Sequence, residues 1–321
     1  MFKSLYFLST YMYVFTIDQS SSNMVRSVGR KAAYLGELTR MGIRVPWGFV
    51  ITRSAFRRFM EINRDKISDA LKGVNLEDPR DLERRYETIK EIMTQTEIPL
   101  DISLEIEHFS REISTDLVAV RPTITSSMSG PSFAGETETF LYVNKVDLPF
   151  YVKQAWASYF NPRSLAYRIA QGMPLEIAVL VQEMVNPESA GTAFTIHPVT
   201  GNPNWVVIES SWGLGQAVTR GLVTPDRFVL PKRDRIIVEK SIGHKHVMLK
   251  FDPRFGGIRE IPLGGKAMEP SLSDEKAIEL ANLSLRIEEF FGRHVNLEWA
   301  LQDNKLYILE VRGVKTMWEE I

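Results

Sequence analysis

Cysteine is absent from the 321 residues, which excludes disulfides, thiolate metal sites and a cysteine nucleophile. Neither sign of charge prevails: 39 Lys and Arg stand against 40 Asp and Glu, a net charge of −1, so there is no electrostatic footprint for nucleic acid. No apolar run approaches the roughly 20 residues that span a bilayer. Histidine is scarce, at positions 108, 197, 244, 246 and 294. Only His244 and His246 are close, and alternate positions in an extended segment read as a shared exposed face rather than a metal site. Repeats and low-complexity segments are missing. The first seventeen residues, MFKSLYFLSTYMYVFTI, carry one Lys and an interrupted apolar run, but no small-residue cleavage site precedes Asp18. A first strand around residues 13–17 accounts for them better, with Met12 an alternative start.

What is present is an ordinary globular composition, 44% hydrophobic and 25% charged, long enough for two domains. Helical spacing of Ala32, Leu35, Leu38 and Met41 predicts a helix that Gly42 ends. Further helices are expected over 54–63, 81–94, 104–113, 147–160, 162–171 and from a Ser273 cap through Leu280, Leu283, Ile287 and Phe290. Strands are expected near 117–120, 177–185, 205–208, 228–230 and 236–238, with 132–143 leading into another and 252–270 the longest irregular stretch. Helices and strands alternate without a barrel's regular rhythm, so the fold class is mixed α/β (α+β).

The stretch that organises the chain is VNLEWALQDNKLYILEVRG, residues 295–313, two alternating arms around a polar turn that read as a β-hairpin. One face collects Val295, Leu297, Trp299, Leu301, Tyr307, Leu309 and Val311; the other carries Asn296, Glu298, Ala300, Ile308, Glu310 and Arg312. A three-residue loop, Asp303 to Lys305, pairs Gln302 with Leu306, gathers the apolar residues and sets Glu298 across from Glu310. Two carboxylates so placed repel unless something positive lies between them. Mg²⁺, held by one or two carboxylates plus water and phosphate oxygens, is one candidate; Arg312 as a plain counter-ion is the other.

Elsewhere Gly29 and Lys31 fall at a helix N-terminus, where free N–H groups favour an anion. The loop from Pro122 to Pro131, after Arg121, is rich in Ser, Thr and Gly; it either wraps phosphates or merely connects. The strand leaving the core at Gln182-Glu183-Met184 either lines an adenine pocket or simply surfaces. The segment Glu209–Gly215 has the spacing of neither a Rossmann fingerprint nor a Walker loop.

Six stretches taken together, GRKAAYLGELTRMGIRVPWGFVIT, VAVRPTITSSMSGPSFAGETETFL, AWASYFNPRSLAYR, VLVQEMVNPESAGTAFTIHPVTG, SSWGLGQAVTRGLVTPDRFVL and NLEWALQDNKLYILEVR, resemble the N-terminal ATP-grasp domain of the phosphoenolpyruvate synthase and pyruvate phosphate dikinase family. The likeness runs from about Tyr13 to Thr316. It implies a two-lobed ATP-grasp fold with mixed and antiparallel sheets, residues 1–175 forming a lobe with the phosphate-binding lysine and loop, and 176–321 a lobe with the adenine and metal site. It further implies a cytoplasmic, ATP-dependent phosphotransferase using Mg²⁺, which phosphorylates a histidine that then serves pyruvate.

Residue by residue, the resemblance places Lys31, Arg121 and Arg312 on the phosphates, Gly135, Thr139, Gln182 and Met184 on the nucleotide, and Glu298 and Glu310 near the metal. The chain departs from the family pattern at Arg30, at Pro122-Thr123, in the loop around Ser127 and Met128, and at Gln216, Asn296, Glu310 and Gly313. Asn296 replaces a usual Asp and Glu310 a usual Gln, so the charge count at the metal is kept. No histidine lies in a carrier motif, so the acceptor is expected on a separate polypeptide that also binds pyruvate. A lapsed regulatory nucleotide-binding module, or a dikinase with another final acceptor, are the alternatives.

Overall fold

The computed structural model describes residues 13–125, 138–172 and 176–314. The chain forms two compact units, one made of the chain up to Glu37 with Trp47–Met184, the other of Leu38–Pro46 with Val185–Ile321.

The first unit contains β1 (Val14–Thr16), α1 (Val25–Arg40), β2 (Gly48–Ile51), α2 (Arg53–Leu71), α3 (Pro79–Gln95), α4 (Leu100–Glu112), β3 (Leu117–Ile124), β4 (Phe140–Asn144), α5 (Leu148–Ala157), α6 (Pro162–Ala170) and β5 (Ile177–Glu183); α1 runs on into the second unit. The strand order is β1-β2-β5-β3-β4, every neighbour antiparallel. Val14, Phe49, Ile51, Val118, Val120, Val179 and Val181 share one face and pack with Phe56, Phe59, Ile89, Met93, Ile102, Val152 and Trp156 from α2–α5. β5 is buried from Ile177 to Gln182, which is why it reads as a continuous apolar run. The reading that divided the chain at 175/176 put β5 in the second lobe; it is the central strand of the first unit's sheet.

The start of α3 has an acid-sensitive anchor. Asp81 is 8% exposed and accepts the Asn75 N–H at 2.8 Å and bonds from Arg84 and Arg85. The backbone bond from Asn75, then the Arg84 bond, lower its pKa from 3.8 to about 2. Because the folded pKa is depressed, this stabilisation is complete above about pH 4 and is lost as pH falls toward 2. Asp81→Asn is expected to flatten the first unit's loss of stability between pH 4 and 2, read as urea midpoints; an unchanged slope would remove Asp81 as the cause.

The second unit contains β6 (Ser189–Phe194), β7 (Trp205–Trp212), α7 (Gln216–Thr219), β8 (Asp226–Pro231), β9 (Glu239–Ser241), β10 (Val247–Asp252), β11 (Gly257–Pro262), α8 (Asp274–Phe291), β12 (Val295–Gln302) and β13 (Lys305–Gly313). Six strands run β13-β12-β6-β7-β8-β9, again antiparallel, and β10 and β11 form a separate two-stranded ribbon. That ribbon occupies much of the 252–270 stretch expected to be irregular. Its turn residues Pro253 and Gly256, with Gly257 at the start of β11, hid the short alternating arms that flank them.

Ser273 caps α8 by accepting the Lys276 N–H, and Gly292 ends the helix in the left-handed conformation at φ 62°. The buried stripe is Ala277, Leu280, Ala281, Ser284 and Ile287; small residues let the helix lie close against β12, β6 and β7. Phe290, expected on that stripe, is 49% exposed because it sits in the last turn, beyond the residues that pack.

Candidate functional site

The hairpin puts Glu298 opposite Glu310 by a different route from the one expected. Its turn is a two-residue one at Asp303-Asn304, with φ of 50° and 57°, closed by the pair Gln302–Lys305; both residues have the positive φ of the tight hairpin turn. Trp299 then pairs with Ile308, and the register shifts before Glu298 pairs with Glu310, leaving Leu309 as an extra residue in a β-bulge. The bulge changes the phase of β13. Leu306 and Ile308, 3% and 0% exposed, share the packed face with Leu301 and Trp299, whereas Tyr307 joins Ala300 on the other. The expected three-residue loop and the assignment of Tyr307, Leu309 and Ile308 to faces are thus corrected, while the opposition of the two glutamates holds.

Directly opposed residues share a sheet face, and the ladder extends this row across the sheet: Glu310, Glu298, Thr192, Glu209, Arg227 and Ser241. The Thr192 hydroxyl donates to Glu209 at 3.1 Å. Arg312 lies between the first two carboxylates, with Nε on Glu310 at 2.5 Å and Nη2 on Glu298 at 3.5 Å. Burial works against the Arg312 charge, but Glu310 and, more weakly, Glu298 outweigh it and hold the guanidinium more firmly protonated than usual. Glu310 is 3% exposed, and Glu298 and Arg312 about a third. Across from Arg312 stands Asn296, whose Oδ1 is buried without a hydrogen-bond donor. Among the described residues no three His, Asp or Glu side chains cluster as a metal cage.

On the first unit, α1 is interrupted at Gly29, φ 78° and ψ 164°, so the continuous helix starts with Arg30 and Lys31. The Lys31 N–H, one of the donors a helix start leaves unsatisfied, bonds to the Thr123 hydroxyl at 3.1 Å. The ladder sets Thr123 opposite Ala178, Arg121 opposite Leu180 and Gln182 opposite Ala119, one face of β3 and β5. Arg121 Nη1 donates to Gln182 Oε1 at 3.4 Å, both side chains buried. Lys31, Thr123, Arg121 and Gln182 are therefore contiguous, and the altered Arg121-Pro122-Thr123 segment still supplies a hydroxyl to the helix start. Pro122 lies past the last β3 residue paired to β4, Val120, where a missing N–H is tolerated. Met184 is half-buried at the exit of β5, its N–H on Leu117 O at 3.2 Å, and Thr139 is half-buried just before β4. Gly135, with Ser127 and Met128, lies outside the described residues.

The sequence reading missed Thr123 as a partner of Lys31, and Thr192, Glu209 and Arg227 as members of the carboxylate row. An acidic residue inside the strand VVIESS was the available signal for Glu209.

A buried arginine, a lysine at a helix start and a pair of opposed carboxylates are residue types that ATP-handling proteins use to hold and neutralise phosphates. The chain belongs to the family described as pyruvate phosphate dikinase, AMP/ATP-binding domain, which matches it over residues 25–320. It is 38% identical over 321 residues to a probable phosphoenolpyruvate synthase of Archaeoglobus fulgidus, covering 96% of this chain and 42% of that protein. A probable phosphoenolpyruvate synthase of Staphylothermus marinus is 36% identical over 95% of this chain and 41% of its own length. The phosphoenolpyruvate synthase of Pyrococcus furiosus is 34% identical over 97% and 44%. The chain thus spans less than half the length of these relatives. No helix among the described residues is long and apolar enough to cross a membrane.

Proposed function

We propose that this domain binds MgATP and delivers a phosphoryl group to a histidine outside residues 1–321, as the ATP-handling part of a phosphoenolpyruvate synthase-like system. The observation that carries the reading is the Glu298–Glu310 opposition with Arg312 between, on a chain of this family. The donor set suits Mg²⁺: hard carboxylate oxygens from two strands, few enough to leave positions for water and phosphate oxygens. Bound there, the ion would neutralise charge on the transferred phosphoryl group. Lys31 and Arg121 supply cations, with the Lys31 backbone fixed by Thr123 and the Arg121 head steadied by Gln182. Gln182 and Met184 border the base, and Thr139 the phosphates. Positioning and charge neutralisation are all that phosphoryl transfer asks of a protein. The retained hydroxyl at Thr123 favours a working site over a lapsed module.

Titration calorimetry with MgATP tests binding, and absence of heat would end the proposal. Labelled ATP with a histidine carrier domain from a relative tests transfer. Lys31→Ala and Glu298→Gln are each expected to lower its rate by roughly a hundredfold without changing the circular dichroism spectrum; undiminished transfer would reassign both residues.

A further inference from the structure

We propose that Arg312 is a displaceable resident cation for the Glu298–Glu310 pair, and that Asn296 Oδ1 receives its guanidinium when a divalent ion takes its place. This rests on the metal reading above and adds a handover between two positions of one side chain. Three observations carry it. Like charges set directly opposite on a sheet repel, and Arg312 is the positive group between them. Its hold is uneven, close on Glu310 at 2.5 Å and long on Glu298 at 3.5 Å, and a third of the side chain is exposed, so one end of the contact is open to exchange. The residue directly across the ladder from Arg312 keeps a buried acceptor without a donor, and a guanidinium carries five N–H groups and no acceptor. With the guanidinium turned to the carboxylates, Asn296 goes unmatched; turned to Asn296, it withdraws from both carboxylates and satisfies the orphaned oxygen. The exchange puts a 2+ ion on the two anions where a 1+ group had been, so the pair is more fully neutralised, while the guanidinium carries its charge to a neutral acceptor.

The test uses Mn²⁺ alone as the probe, free ion counted by electron paramagnetic resonance, without nucleotide and without reference to activity. Removing the competitor in Arg312→Met, with Arg312→Gln as a polar control of similar length, is expected to tighten Mn²⁺ binding about tenfold. Asn296→Ala is expected to weaken Mn²⁺ severalfold when Arg312 is present and to have no effect in the Arg312→Met background, because there is no guanidinium left to receive. Binding by Arg312→Met equal to or weaker than wild type, or an Asn296 effect independent of Arg312, would overturn the handover. If no variant binds Mn²⁺ even with ATP, while circular dichroism shows all of them folded, the metal reading itself fails; Mn²⁺ binding that needs ATP and ignores Arg312 sinks the handover alone.

Discussion

Gly29→Ala is expected to destabilise the first unit by about 4 kcal/mol, a fall of roughly 10 °C in that unit's transition. Two costs combine. At φ 78° and ψ 164° the backbone lies in a region essentially reserved for glycine. A Cβ there would also come 2.2 Å from Thr123 Oγ1, 2.7 Å from its Cγ2 and 2.9 Å from its Cβ. Thr123 is fully buried, so it has nowhere to retreat. The neighbouring bond makes the position functional as well as structural: relieving the clash moves the helix start, and the Lys31 N–H leaves the Thr123 hydroxyl. Two controls separate the terms. Gly73, in the same unit, at φ 68° and with nothing within 4 Å of the place a Cβ would take, should cost only about 1–2 kcal/mol as alanine, the conformational part alone. Thr123→Ala combined with Gly29→Ala should recover most of the steric part, the 2.2 and 2.7 Å contacts being removed and only the 2.9 Å approach to the Cβ remaining, while still weakening ATP binding. Equal losses at Gly29 and Gly73 in urea unfolding would show that the close approach to Thr123 contributes nothing.

The hairpin shows how far the sequence could be read. Alternation identified both arms and the opposition of Glu298 and Glu310, but a period-2 pattern carries no marker for one inserted residue. The apolar positions of β13 are 306 and 308, then 309 and 311; the doubled Ile308-Leu309 is where the phase changes, and a bulge is the physical event that permits it. Forcing a single phase onto both arms required a three-residue loop and turned Ile308 toward the wrong face. On the first unit, helix periodicity located α1, and the GRK segment was legible as a helix start. Its contact with Thr123 joins positions 92 residues apart, a relation that spacing does not express. The same holds for Thr192 and Glu209, brought into the carboxylate row by strand order alone. Local chemistry was readable; lateral neighbours in the sheets were not.

The second large effect is expected on the face of the six-stranded sheet opposite the carboxylate row. Arg227 and Asp226 are successive in β8 and so point to opposite faces; Asp226 is fully buried and ion-paired with Lys245, also fully buried. The carboxylate is saturated. Its Oδ1 takes Lys245 Nζ and the Gly243 N–H, and its Oδ2 the Ser271 N–H and hydroxyl at 2.7 Å each. Lys245 donates as well to Gly243 O at 2.9 Å, and Ser210 Oγ closes the network on Ser271 Oγ at 2.8 Å. Three separate segments, at 243–245, 271 and 210, are thereby fixed to one strand. Lys245→Met removes the cation and leaves a buried carboxylate with neutral donors only, a change expected to destabilise the second unit by about 3–5 kcal/mol. Asp226→Asn/Lys245→Met should be less destabilised than the sum of its single substitutions, since residues in contact couple and neither charge then remains unmatched. The loss is expected in the second unit's transition, with the first unit's midpoint, and the Gly29 effect upon it, unchanged. A Lys245→Met protein that unfolds with wild-type midpoints would mean that the neutral donors alone hold Asp226, and that the ion pair contributes nothing to keeping β8 in register.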